Sequence, residues 1–153
     1  MSTPVLRPAN ISDAPALVEL WARAGENRAR PTDRDDLVVR LLERDPDAVI
    51  LAEVDGRLVG TVVAVWDGWR AHLYRLAVDP DLRGQGIARR LLDAAEERLR
   101  ALGAERIDAM VLDDNEAGRA LWSAAGFAPQ PDWSRWVKPV AGDPPRRGRR
   151  CDP

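Results

Sequence analysis

The segment "VDPDLRGQGIARRLL", Val78 to Leu92, places two glycines and an arginine where an apolar run ends and helical spacing begins. The chemistry open to such a junction is anion binding. The first N–H groups of a helix lack intrahelical partners and the helix dipole is positive there, while glycine removes the side chain that would keep a phosphate at a distance. Two familiar phosphate loops fail on residue identity. A GxxxxGK[ST] loop needs a lysine for the terminal phosphates, and the only lysine is Lys138, far along the chain. A GxGxxG dinucleotide fingerprint needs a third glycine in a parallel βαβ unit. Here Gly84 and Gly86 are followed by Arg89, and the strands before them read as antiparallel.

The elements that must position this loop can be read from apolar spacing. "PVLRPAN" predicts a short edge strand. "ISDAPALVELWARAG" predicts a helix on Leu17, Leu20, Trp21 and Ala24, capped by Ser12 or Asp13 and closed by Gly25. A second helix follows on Leu37, Val38, Leu41 and Leu42 and stops at Pro46. Then "AVILAEV", "RLVGTVVAVW" and "WRAHLYRLAV" are three β-rich runs joined by two Asp-Gly pairs, each read as a type I′ hairpin turn. Pro80 ends the third strand. "GIARRLLDAAEERLRALG" is the next helix, with Ala88, Leu91, Leu92, Ala95, Leu99 and Leu102 on one side. "ERIDAMVL" reads as a strand, "NEAGRALWSAAG" as a short helix and "DWSRWVK" as a final strand. The order β-α-α-β-β-β-α-β-α-β is that of an α+β fold, one domain over residues 1–138 with a mixed, mostly antiparallel sheet flanked by helices on both faces. Residues 139–153 carry no apolar periodicity and read as a disordered Arg/Pro-rich tail.

With these elements in register, Arg83, Gly86 and Ala88 match the R/Q-x-x-G-x-G/A signature, and the chain resembles the GNAT N-acetyltransferases over about residues 4–137. "LAVDPDLRGQGIARRLLDAAEERL" is similar to the family's acetyl-CoA segment, and "NEAGRALWSAAGFAP" to its following N…A…LY…GF segment. "LAEVDGRLVGTVVAVWDGWRAHLYRLAVDP" resembles a group of small bacterial acetyltransferases. The resemblance implies a GNAT fold and acetyl transfer from acetyl-CoA to a primary amine by direct attack in a ternary complex. It further implies that the N–H groups of Gly84, Gln85, Gly86, Ile87 and Ala88 hold the pyrophosphate, with Arg83 and Arg89 beside it. The pantetheine arm would lie along Leu76, Ala77 and Val78, and Asn115 would contact the cofactor. The acceptor would meet the link between the first two helices, where Arg28 or Arg30 can pair with a substrate carboxylate.

Two positions depart from the family. Trp122 stands where many members have the tyrosine that protonates the departing thiolate, and an indole N–H is a donor but no useful acid. Met110 stands where some relatives carry a glutamate base. The only tyrosine, Tyr74, lies just before the cofactor segment and becomes the candidate catalytic residue: Tyr74, or a water held by Asp67, His72 or Glu53, would assist proton removal. An alkyl thiol near pKa ~8.5 leaves without a strong acid. A lysine amine near ~10.4 costs roughly 3.5 kcal/mol more to deprotonate than an α-amine near ~7.8, which favours an α-amine or a small-molecule acceptor. The alternative is an acetyl-CoA-binding sensor or interaction domain without turnover.

Composition narrows the partners. The chain of 153 residues has 45% hydrophobic and 31% charged residues and a net charge of −2, and the sequence shows no apolar run long enough for a membrane span. The tail carries four arginines, leaving an acidic body that argues against nucleic acid and weakly favours a cationic substrate. Cys151, the only cysteine, lies in the tail, so no disulfide framework or thiol site is expected. The expectation is a cytoplasmic monomer or homodimer whose partners are acetyl-CoA and an amine, with no metal.

Overall fold

The computed structural model describes residues 2–24 and 32–140. The predicted specificity residues Arg28 and Arg30, the Gly25 helix stop, Cys151 and nearly all of the tail lie outside the described residues. Among the described residues the strands and α-helices are β1 (Val5–Pro8), α1 (Ala14–Ala24), α2 (Asp35–Arg44), β2 (Val49–Val54), β3 (Arg57–Trp66), β4 (Ala71–Val78), α3 (Ile87–Leu102), β5 (Ile107–Ala109) and α4 (Glu116–Ala124). The strands form one sheet in the order β1-β2-β3-β4-β5, with β1 at its edge. All pairs are antiparallel except β4 with β5, which is parallel. The mixed, mostly antiparallel α+β reading therefore holds.

Alternation along the strands divides the core between two faces. On one, Val59, Val62 and Ala64 of β3 pack with Ile87, Leu91, Leu92, Ala95 and Leu99 of α3 and Trp122 of α4. On the other, Val49, Leu51 and Val63 meet Ala14, Leu17 and Trp21 of α1 and Val38 and Leu42 of α2. Each fully buried leucine contributes about 1.5–3 kcal/mol, so these two layers carry most of the fold's stability. Gly60 lets α3 sit down on β3: a Cβ there would stand 3.0 Å from Leu91 Cδ1 and 3.1 Å from Ile87 Cγ2.

Four local expectations change. The first turn belongs to Asn10, not to Ser12 or Asp13: Asn10 precedes a 3-10 turn at Ile11–Asp13. Asp13 instead accepts from the Asn10 N–H at 2.8 Å and from Arg7. Asp55-Gly56 is the expected hairpin turn, both residues having positive φ (50° and 77°). Asp67-Gly68 is not. There the strands close at Trp66↔Ala71 around a four-residue loop, and the Asp67 carboxylate accepts from the N–H groups of Trp69 (2.7 Å) and Arg70 (2.6 Å). Leu102, placed on the buried side of α3, is exposed. Finally, residues 132–138 form no strand. Trp133, Trp136 and Val137 do not alternate with polar residues at period two, and Pro131 and Pro139 bound the run, so no one-sided apolar face exists to dock. Trp69, Trp133 and Trp136 are exposed, whereas Trp66 packs against the α3-side core.

Candidate active site

The site begins where two strands part. β5 pairs with β4 only from Ala71↔Ile107 to Leu73↔Ala109, whereas β4 runs on to Val78. Immediately past the last pair β4 carries a bulge. Thr61 faces Ala77 and Val63 faces Tyr74, so β4 has one more residue than β3 in this interval, and Arg75 takes φ 51°. Beyond it the side chains of Ala77 and Val78 enter the two cores and Leu76 packs on the α3 side, while their backbone bonds to β3 on one edge. The opposite edge is not covered by β5. An extended amide chain can add along such an edge.

The strand leads into the glycine loop through Asp79. Its side chain accepts from the Asp81 N–H at 3.0 Å, capping a 3-10 turn at Pro80–Leu82, while its own N–H bonds to Val59 O at 2.8 Å. Arg57 (2.6 Å) and Arg23 (3.2 Å) neutralise this buried carboxylate. The Asp81 N–H first, then the two guanidiniums, hold its carboxyl below the ordinary range against the opposing effect of burial. Gly84 (φ 78°) and Gly86 (φ 80°) then take left-handed conformations, with Gly86 capping α3. A Cβ on either would meet nothing of the protein, so the glycines supply conformation and an open face. Ile87 is buried and pins the start of α3, while Gln85 is exposed and Ala88 half-buried. This is a seat that fits a pyrophosphate.

The arginines of the loop have protein partners. Arg83 donates to Ala24 O at the end of α1 at 2.9 Å. Arg89 donates to Asp93 and to Ala124 O of α4, each at 3.0 Å, joining α3 to α4. Asn115 caps α4, its Oδ1 accepting from the Gly118 N–H at 2.8 Å. Gly118 is required for this cap, because a Cβ there would stand 2.4 Å from Asn115 Nδ2.

On the acceptor side, Tyr74 is 39% exposed and stands on the α1/α2 face of β4, with the Arg75 guanidinium 6.0 Å from its ring. Burial pushes its phenol above the ordinary value, Arg75 pulling the other way. His72, two residues earlier on the same face, lies 4.0 Å from Asp108 of β5. Glu53 stands apart from this group, whereas the Asp67 carboxylate lies near enough to His72 to interact with it electrostatically. Glu53 is paired with Arg7 across β1 and β2, and Asp67 closes the β3–β4 loop, its carboxyl held low by the Arg70 and Trp69 N–H groups. Trp122 is only 9% exposed and meets Phe127 edge-on at 4.9 Å, so it serves as core. Met110 is 63% exposed. Sequence reasoning missed three residues that shape the site: Asp79, whose signal was an Asp-Pro at a turn start; Thr61, a lone polar residue inside an apolar strand; and Arg75, which carried no local signal.

Comparison with known proteins decides what this geometry belongs to. Residues 14–127 match the model of the acetyltransferase (GNAT) family. The chain belongs to that family. It is 41% identical over 106 residues to the acetyltransferase ECA0875 of Pectobacterium atrosepticum, covering 69% of this chain and 74% of that protein. Two solved structures share the fold. One is yncA of Salmonella typhimurium, a putative acetyltransferase solved with its cofactor acetyl-CoA (TM-score 0.71, 22% identity, 82% of this chain and 80% of that one). The other is the ribosomal-protein-S18-alanine N-acetyltransferase of Escherichia coli (TM-score 0.66, 23% identity, 82% and 78%). As a family member the protein is an acyltransferase, an acetyl-CoA-dependent N-acetyltransferase. Among the described residues no helix is long and apolar enough to cross a membrane.

Proposed function

We propose that this N-acetyltransferase binds acetyl-CoA along the free edge of Leu76–Val78 and on the glycine loop, and that it acylates an α-amine or small-molecule amine approaching from the α1/α2 face. The observation that carries the reading is the continuity of the seat: β4 leaves β5 after Leu73 and runs through a bulge to a left-handed glycine loop at the start of α3. N–H groups of Gly84 to Ala88 would hold the pyrophosphate, and a backbone N–H of the strand would stabilise the oxyanion. Acetyl-CoA supplies the activated acyl group and a thiolate leaving group. Tyr74 suits the role of donor to that thiolate better than that of base, because its raised pKa keeps the phenol protonated at neutral pH.

The acceptor class follows from what the α1/α2 face offers. Met110, just past β5, offers no carboxylate, and Glu53 is held by Arg7. A site without a strong base favours an amine already largely neutral near pH 8. The name of the Escherichia coli structural neighbour, which specifies an alanine of a ribosomal protein, supports this direction. We place the reaction in the cytoplasm, where a donor of this kind is met.

The test is thiol release from acetyl-CoA across N-terminal peptides, amino acids, polyamines and lysine ε-amines. Turnover with α-amines or small amines at least 10-fold above ε-amines is expected. Equal or better use of ε-amines would overturn the acceptor assignment, and binding without release for every amine would return the protein to a sensor role.

A further inference from the structure

Thr61 and Asp79 are the two buried polar residues of the described core, and Asp79 has its role in the turn. Thr61 uses its hydroxyl in both senses. It accepts from Trp21 Nε1–H of α1 at 2.8 Å and donates to the backbone carbonyl of Arg75 at 2.9 Å. Arg75 is the residue at φ 51° in the β4 bulge, a conformation that costs a non-glycine residue about 1 kcal/mol or more and persists only when the surroundings hold it. Thr61 holds its carbonyl, and Asp33 holds its guanidinium at 2.6 Å. The bulge starts one residue past the last β4–β5 pair. Its shape therefore sets the direction of the edge that follows.

We propose that Thr61 is a positioning residue for acetyl transfer, fixing the bulge through the Arg75 carbonyl so that the Leu76–Val78 edge meets the thioester in register. The proposal rests on the reading that this edge seats the acyl end of acetyl-CoA. A mere filler of the core would be served equally well by valine, which has the same shape and favours strands. In Thr61→Val the buried Trp21 N–H and the partly buried Arg75 carbonyl lose this partner. The bulge then has no tie on its main chain from β3's side chains, and a shift of about 1 Å at a reacting centre is enough to cost on the order of 100-fold in rate. The pyrophosphate seat, fixed by Asp79 and α3, stays in place.

Thr61→Val should lower kcat by about 30-fold while changing KM for acetyl-CoA less than about 3-fold, and Thr61→Ser, which keeps the hydroxyl, should return kcat to within about 3-fold of wild type. Without any acetyl-CoA, amide exchange at Arg75–Ala77 should be faster in Thr61→Val than in Thr61→Ser. Unchanged kcat in Thr61→Val, or equal impairment of the two variants, overturns the proposal. If Thr61→Val fails to fold, Thr61→Cys keeps the volume with a weak donor, and wild-type kcat in that variant overturns it as well. The seat is tested separately in the wild type. If acetyl-CoA leaves the Leu76–Val78 amides unprotected from exchange, the seat reading fails. If it protects them while Thr61→Val turns over normally, only the role of Thr61 falls.

Discussion

Along the β3–β4 pair and into α3, the two buried polar side chains are paired, Thr61 with Trp21 and Arg75 and Asp79 with a turn N–H and two arginines, while the exposed Gly84 and Gly86 are set by backbone conformation. At β5 and after α4 the construction differs. β5 is three residues long and only partly buried, Met110 is exposed, and Trp133 and Trp136 are 74% and 93% exposed on a segment that joins no sheet. On the proposed reading the donor is seated by the main-chain geometry of the first region, which tolerates little change, whereas the second region is built of surface side chains that can vary without loss of the fold.

The strongest way to break this contrast is Gly86→Val. A β-branched residue at φ 80° is strained, and it would shift the N–H groups at the start of α3. Acetyl-CoA affinity should fall on the order of 100-fold by calorimetry, with α3 still formed because its buried face is intact. Affinity within 3-fold of wild type would mean the donor side is not set by this backbone.

Next in size is Asp79→Asn. The amide keeps the turn cap but loses the charge facing Arg23 and Arg57, and unfolding free energy at pH 7 should drop by about 2 kcal/mol. Because the folded carboxyl titrates below its unfolded value, the wild type holds this stability above about pH 4 and loses it as pH falls through the folded pKa. The gap between wild type and variant should therefore narrow below pH 4 in denaturant titrations. A gap independent of pH would show that the charge contributes nothing.

The same contrast explains what could be read from the chain in advance. Asp55-Gly56 and the loop at Gly84 and Gly86 were legible because each is a local demand for positive φ that glycine announces. Asp67-Gly68 has the same letters, but its turn is set by the Asp67 carboxylate reaching two N–H groups, and a dipeptide does not reveal that. The Arg75 bulge is a mismatch in residue count between two strands, so nothing in either strand alone encodes it. Residues 132–138 have the aromatic and β-branched composition of a strand but no period-two face, and composition misled where patterning would not have. The conformation of the glycine loop could thus be read in advance, whereas the bulge beside it and the turn at Asp79 could not.

Tyr74→Phe sharpens the comparison on the acceptor side. Its phenol is the one tyrosine hydroxyl of the chain, and kcat should fall about 10-fold with acetyl-CoA affinity unchanged. With the raised pKa of the phenol, the wild-type rate should decline above pH 10 and the variant should lack that decline. A variant with wild-type kcat and the same alkaline limb would remove Tyr74 from the mechanism.

The smallest effect is expected for the paired change Trp133→Ser and Trp136→Ser. Both rings are largely exposed and neither has a core contact, so unfolding free energy should move by less than about 0.5 kcal/mol. Acetyl-CoA affinity should stay within 2-fold if the proposed seat on β4 and the glycine loop is right. A loss of 2 kcal/mol or more would mean that these tryptophans are covered in solution and that this segment is as tightly built as the β3–β4 pair and the turn into α3, which would erase the contrast between the two regions.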